Sequence, residues 1–506
     1  MKVKKLLCIC LVCLFALVPL ASCDGNAPGV SQPQEGTSSL PSESTDVSVN
    51  TDSFVETDEF RGEVIKVFTA AFNDSYVTEI GDNSNNETCA EALSVAIKER
   101  TEAVEDAYGV TIEEEILIDP KRYGGTFLAA VREFGYSGTG EYDILYPCLL
   151  DAGTMAAEGL LMDLSTAAGI RIQNSWWDQT FISDTAIGNC TYYLTGDIGL
   201  RAKNAAGCLY FNKKLMDDAG IEYPYQLVRD KQWTIEKILE LIKQADLSED
   251  LDKDGKITYH DMYGWAGQNG DMQKLFYAAG ERIAAVDEAG VPYISVYNER
   301  SAKVVDSILD LLQDSEDYVC GDDYFNESST PMNMLLDSFK ADQCLFYSGG
   351  MEDALKLGDM KSDFGILPSP LFDESQEQYY TQVGAWSANA YCIPYGLSDE
   401  RSYRAQVILD ALGAYSVDTV ATAYYDVVLQ YQKLRTDDDV EMLELIFDCA
   451  GADLGAVYRV GGLSNMLTQL IEKPKGSFAS SYETLESGAK AEMDKLIETF
   501  AQREEE

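Results

Sequence analysis

One twelve-residue stretch has the composition and spacing of a cation loop. Asp250, Asp252 and Asp254 stand at its first, third and fifth positions, Gly255 at the sixth, Ile257 at the eighth and Asp261 at the twelfth. Carboxylates at alternate positions can wrap a hard cation such as Ca2+. The carbonyl of Lys256, at position seven, adds an oxygen, and glycine permits the sharp turn. Aspartate at position twelve reaches less far than the usual glutamate, so the expectation is a weak, structural Ca2+ site, set against a solvated acidic turn. Catalytic chemistry is otherwise sparse. The single histidine, His260, lies in the same loop, which gives little support to Ser–His–Asp or Cys–His mechanisms. With 86 acidic residues, a carboxylate pair suited to glycoside hydrolysis can be found almost anywhere, so their abundance carries no weight.

The N-terminus carries an address. Met1–Lys5 is cationic, Leu6 to Leu20 is almost wholly apolar, and Leu20-Ala21-Ser22-Cys23 follows. The run is too short for a convincing membrane span and reads as a signal peptide over residues 1–22. The tetrapeptide resembles a bacterial lipobox, which implies lipidation of Cys23 and anchorage at the extracytoplasmic face of the cell membrane. Residues 23–61, rich in Ser, Thr, Pro, Gly and acids, should form a flexible tether. Cys10 and Cys13 spell C-x-x-C but lie in the segment to be cleaved. The cysteines after Cys23 lack metal-ligand spacing and read as small core residues. A net charge of −48 repels phosphate backbones, which excludes nucleic-acid binding and disfavours lying flat on anionic lipid.

About 440 residues follow the tether, enough for two lobes. Val64–Phe68, Val110–Ile118 and Tyr142–Tyr146 read as strands. Leu93, Ala96, Ile97, Val104 and Tyr108 share a helical face, and Phe127–Phe134 reads as a second helix. This βαβαβ order implies an α/β fold with a parallel sheet. Ligands bind such sheets beyond the strands' C-terminal ends, which selects Asn73, Asp74 and Leu149. Near the C-terminus, Tyr482, Leu485, Ala489, Met493, Leu496 and Phe500 form a stripe that should be a packing face.

Several segments, in order, resemble the family 1 extracellular solute-binding proteins of ABC importers, the group of maltose-binding protein. They are Tyr142–Leu145 followed by Gly159–Leu164, Tyr192–Asp197 followed by Leu209–Leu215, Gln232–Ile238, and Phe364–Pro368. The resemblance implies two discontinuous α/β lobes joined by a hinge, of the type II periplasmic-binding kind. Lobe one would take 62–203 and 341–396, and lobe two 204–340 and 397–506. It also implies a monomeric receptor without catalytic residues that passes a small solute to ABC permease subunits.

A saccharide presents hydroxyl edges and apolar faces, so its pocket needs aromatic planes beside Asp, Asn, Gln or Arg. This selects Trp386 in Gly384–Ala388, on a segment that resembles the family's cleft loop, Trp265 with Gln268 and Asn269 after a lobe-two strand, Asp197 on the segment that resembles the first crossing, and Tyr425 on one that resembles the family's lobe-two aromatic cluster. Trp177 is a further candidate, since at most one of Trp176 and Trp177 should face the cleft. Gly349 and Gly350 would allow close backbone approach, and Trp233 reads as a packing residue. The expected solute is a mono- or oligosaccharide. A lipid-anchored glycoside hydrolase, or a receptor for a polyamine or peptide, is the alternative.

Overall fold

The computed structural model describes residues 57–73, 76–138, 140–313, 317–431 and 436–504. The expected signal peptide, Cys23, the tether as far as residue 56, and Asp74 lie outside them.

The first sheet follows from the βαβαβ pattern. Strands β1 (Val64–Ala71), β2 (Thr111–Ile118) and β3 (Ile144–Tyr146) are parallel, in the order β2-β1-β3. They are linked by helices α1 (Glu91–Tyr108) and α2 (Thr126–Ser137), and α3 (Leu149–Glu158) follows β3. Alternation along β1 sends its side chains into two cores. Ile65 and Val67 join Val104, Tyr108 and Ile408 on one face, while Phe68 stacks 4.5 Å from both Phe127 and Tyr142 on the other. A strand covered on both faces belongs in the middle of its sheet.

The second sheet is mixed. It contains β4 (Gly207–Asn212), β5 (Tyr263–Gly267), β8 (Tyr318–Cys320), β9 (Cys344–Gly350) and β10 (Phe364–Leu367), in the order β10-β4-β9-β5-β8. β4 runs antiparallel to β9 and β10, whereas β5 is parallel to β8 and β9. Between β5 and β8 lies a small hairpin of β6 (Ala284–Val286) and β7 (Pro292–Ile294).

These ladders correct the expected lobe boundaries. β9 and β10 fall within 341–396, assigned above to lobe one, yet they hydrogen-bond to β4 and lie in the sheet of lobe two. Conversely, the helix Asp399–Ser416, assigned to lobe two, supplies Ile408, Leu409 and Leu412 to the core beneath β1. Strand pairing between distant segments leaves no local sequence signal, so the assignment failed there.

The chain crosses between the sheets three times, at two adjacent places and again between the helices Asp399–Ser416 and Asp437–Asp448. Leu194 pairs with Tyr391 beside the first sheet, Leu145 pairs with Cys392, and Ala206 pairs with Val383 between the sheets. Gly384 N–H donates to the carbonyl of Ala205 at 3.0 Å. The outward and returning crossings are therefore hydrogen-bonded side by side. The helix Asp437–Asp448 contributes Met442, Leu443 and Ile446 to the core shared with the second sheet. The C-terminal helix Phe478–Glu504 buries Tyr482, Ala489, Met493 and Phe500, as its stripe predicts. All eight cysteines among the described residues are free thiols.

Candidate functional site

The loops at the C-terminal ends of β1, β2 and β3 converge with the loop that follows the returning crossing. Phe72 and Asn73 leave β1, and Asn73 accepts the Tyr76 N–H through its carbonyl at 3.3 Å. After β2, buried Asp119 organises the turn. Its carboxylate accepts the N–H of Lys121 at 3.1 Å, the Thr126 hydroxyl at 2.9 Å and the N–H of Phe127 at 3.0 Å. Burial alone would raise the Asp119 pKa, but these donors outweigh it and hold the carboxyl below its ordinary value. A side chain on Gly125 would collide with this carboxylate.

The same turn holds Arg122 at φ +66°, a left-handed conformation uncommon outside glycine. Its guanidinium lies 4.8 Å from the Phe72 ring and 6.0 Å from the Trp386 ring. Tyr123 meets Trp386 edge-on, with centroids 5.1 Å apart, and Arg459 lies 5.0 Å over Tyr123. Trp386 is 49% exposed and Phe72 39%. The Trp386 loop is tied down by the Cys148 thiol, which donates to the Ala385 carbonyl at 3.6 Å. Exposed aromatic faces, edged by arginines and fixed from beneath, can stack on a sugar ring and donate to its oxygens.

A buried polar network lies behind these groups. Glu79, 1% exposed, accepts the Tyr146 hydroxyl at 2.6 Å, the Tyr391 hydroxyl at 3.4 Å and the Arg201 N–H at 2.9 Å. Burial pushes its carboxyl up to about 7 against the pull of these donors. The Arg201 guanidinium lies 5.7 Å over the Tyr76 ring.

Of the expected site residues, Trp386 and Asn73 lie at this convergence. Asp197 and Tyr425 come together elsewhere, around Lys203 on the first crossing. Lys203 forms an ion pair with Asp197 at 3.1 Å and lies 5.6 Å over the Phe447 ring, while Tyr425 packs edge-on to Phe447 at 5.3 Å. Burial opposes the Lys203 charge, yet Asp197, Asp178 and Tyr425 outweigh it and raise its pKa.

Other expectations are corrected. Trp265 is fully buried 6.2 Å from Phe346, because β5 is an inner strand covered on both faces, with all of its residues buried. Trp176 and Trp177 are both buried, and both indole N–H groups donate to Asp410, at 3.1 and 3.2 Å; neither faces a cleft. Leu149 is buried, its N–H bonded to the Ala388 carbonyl at 2.9 Å. Gln268 and Asn269 are half-buried and held within lobe two. The Gln268 N–H donates to Asp271 at 3.1 Å, and that of Asn269 to Asp322 at 2.7 Å. Gly349 and Gly350 end β9 in a packed turn, where a Cβ on Gly349 would come within 2.6 Å of the Asp353 carboxylate. Trp233 packs as expected, fully buried with its N–H on the Pro368 carbonyl at 3.0 Å. Phe72, Arg122, Tyr123, Glu79 and Arg201 were not selected from the sequence. The left-handed turn around Lys121-Arg122-Tyr123-Gly124-Gly125 was the one local signal available.

In the acidic loop, Asp250, Asp252 and Asp254 bring one carboxylate oxygen each within 4.8 Å of one another. Asp250 also accepts the Gly255 N–H at 2.8 Å, with Gly255 at φ +87°. Asp261 does not join this group. It is fully buried and accepts the N–H groups of Leu251 at 2.8 Å and Thr258 at 2.9 Å, since its short side chain turns inward to cap the loop.

A cavity of about 560 Å3 lies elsewhere, lined by Arg229, Tyr379, Tyr380 and Cys449 among others. Its Arg229 is already paired with Asp438 and with Glu441, the latter at 2.6 Å, and none of the expected site residues line it.

The fold is that of the type II solute-binding proteins, two α/β lobes joined by adjacent crossings. Among solved structures it is similar to UgpB from Mycobacterium tuberculosis in complex with glycerophosphocholine. The TM-score is 0.53 at 14% identity, over 80% of this chain and 96% of that one. It is also similar to the ABC substrate-binding protein Lmo0181 from Listeria monocytogenes in complex with cycloalternan, with TM-score 0.51 and 12% identity over 87% and 99% of the chains. A third is an ABC transporter solute-binding protein from Agrobacterium radiobacter K84 in complex with ribitol, with TM-score 0.51 and 14% identity over 85% and 99%. No family model matches the sequence, and no curated protein does. Among the described residues, no helix is long and apolar enough to cross a membrane.

Proposed function

We propose that the chain is the extracellular solute-binding receptor of an ABC importer, and that it captures a carbohydrate between its lobes without chemical change. The observation that carries this reading is the half-exposed Trp386. It stands on a loop that springs from the returning crossing, edged by Tyr123, Phe72 and Arg122. An aromatic plane at a hinge can contact a sugar face and respond to lobe movement at once. Two of the three structural neighbours, in complex with cycloalternan and with ribitol, support this reading; the third is in complex with glycerophosphocholine. A thermal-shift screen of the purified chain against mono- and oligosaccharides, with spermidine as a cationic control, tests it. The expected result is a rise in melting temperature with at least one saccharide and none with spermidine. A shift with spermidine alone, or a saccharide recovered cleaved, would overturn it.

Two further elements complete the proposal. Lipidation at Cys23 holds a monomeric receptor at the extracytoplasmic face of the membrane, where it meets its permease subunits. A Cys23→Ser variant is expected to be released into the medium; retention in the membrane fraction would count against the anchor. Asp250, Asp252 and Asp254, with the Lys256 carbonyl, hold a structural Ca2+. The donor set is all oxygen, and the loop is already folded around Asp250. EDTA should lower the melting temperature and added Ca2+ restore it, whereas indifference to both would remove the ion from the account.

A further inference from the structure

We propose that the captured solute carries a carboxylate, as in a uronic-acid oligosaccharide, and that Arg122 and Arg201 receive it beside Trp386. This inference rests on the carbohydrate reading above and narrows it to one class.

The chain has 38 basic residues among 86 acids, and many of its arginines are taken by carboxylates. Arg132 pairs with Glu158, Arg171 with Asp410, Arg300 with Glu281 and Arg401 with Asp143. Arg122 and Arg201 form no ion pair among the described residues, and both lie at the convergence of the β1 and β2 loops with the crossings. Arg122 is held in place by its left-handed turn and by the faces of Phe72 and Trp386. The buried Nε of Arg201 has no acceptor, and its guanidinium lies 5.7 Å over the Tyr76 ring. Buried donors without acceptors are costly unless a ligand completes them. Burial lowers the Arg122 pKa, and the like charge of Arg201 lowers it further, so each guanidinium lies within the field of the other.

An anion between two such groups would relieve their repulsion and supply the acceptor that Arg201 lacks. The planar fork of arginine matches a carboxylate in two parallel hydrogen bonds. Nearby acids limit the charge the site can take. Glu79 already accepts from Tyr146, Tyr391 and the Arg201 backbone and lies within the field of the Arg201 guanidinium, and Glu352 lies 3.8 Å from Lys356 while still acting on Arg122. The positive excess is therefore small, which suits one carboxylate better than a doubly charged phosphate. The exposed Trp386 face beside it suits the sugar ring that bears the acid.

The test is calorimetric titration of the purified full chain with oligogalacturonides, beside neutral galacto-oligosaccharides of the same length. The acidic ligand should bind at least about tenfold tighter, since a charge-assisted pair contributes on that order. Arg122→Gln should abolish that preference, and Arg122→Lys, which keeps the charge but loses the fork, should keep only part of it. Neutral ligands binding as tightly as acidic ones, or an unchanged preference in Arg122→Gln, would overturn the inference while leaving saccharide capture standing. Binding of neither kind would overturn the inference, while the saccharide reading beneath it is decided separately by the thermal-shift screen.

Discussion

At the scale of single residues, the tryptophans separate into two kinds. Trp386 is exposed and makes few burying contacts, so Trp386→Ala should weaken saccharide binding by ~1.5 kcal/mol, about tenfold, with little change in stability. Titration beside a melting curve distinguishes this from a folding defect. Trp265 is fully buried, and Trp265→Ala should cost about 3–5 kcal/mol of stability, read by urea unfolding. Both lie in short glycine-flanked segments, Gly264-Trp265-Ala266-Gly267 and Gly384-Ala385-Trp386. The sequence therefore could not tell a strand residue facing the core from a loop residue facing solvent. Glu79 provides a pH test. Its folded carboxyl titrates at about 7 against an ordinary 4.5, so the folded state holds the proton more tightly than the unfolded state does. Its contribution favours the folded state at acid pH and is lost as pH rises between those values, by about 3 kcal/mol at most. Asp453, raised to about 6 for the same reason of burial, titrates in the same window. The difference between wild type and Glu79→Gln isolates Glu79, and the variant should lose less stability between pH 5 and pH 7.5.

At the scale of elements, the β2–α2 loop carries the site's arginine through one buried carboxylate. Gly125→Ala would force Asp119 away from the N–H groups of Lys121 and Phe127. It should cost about 1–3 kcal/mol and loosen Arg122, seen as a lower melting temperature together with weaker binding. The strands and helices of the first lobe were legible because each carries its own period: alternation in β1, and a 3.6-residue face in α1. In the acidic loop, spacing foretells the grouping of Asp250, Asp252 and Asp254 but not the place of Asp261. Spacing names a residue, but only packing shows that a short aspartate side chain turns inward to Leu251 and Thr258. Arg122 was legible only as part of a glycine-rich turn and Arg201 not at all, since an arginine's missing partner is a fact about neighbours distant in sequence.

At the scale of the molecule, the two-lobed plan could be read in order of motifs, but the division of the chain between lobes could not. β9 and β10 were placed in the wrong lobe because antiparallel pairing with β4 joins segments more than a hundred residues apart. The paired crossings at Ala205–Ala206 and Val383–Gly384, with the third crossing after Ser416, form the connection between the lobes, and a ligand touching both lobes would favour a closed state. Small-angle scattering of the purified chain, alone and saturated with the saccharide that gives the largest thermal shift, tests this most directly. The account predicts a smaller radius of gyration with the saccharide bound and the same saccharide recovered intact; an unchanged radius at saturation, or a chemically altered saccharide, would contradict it.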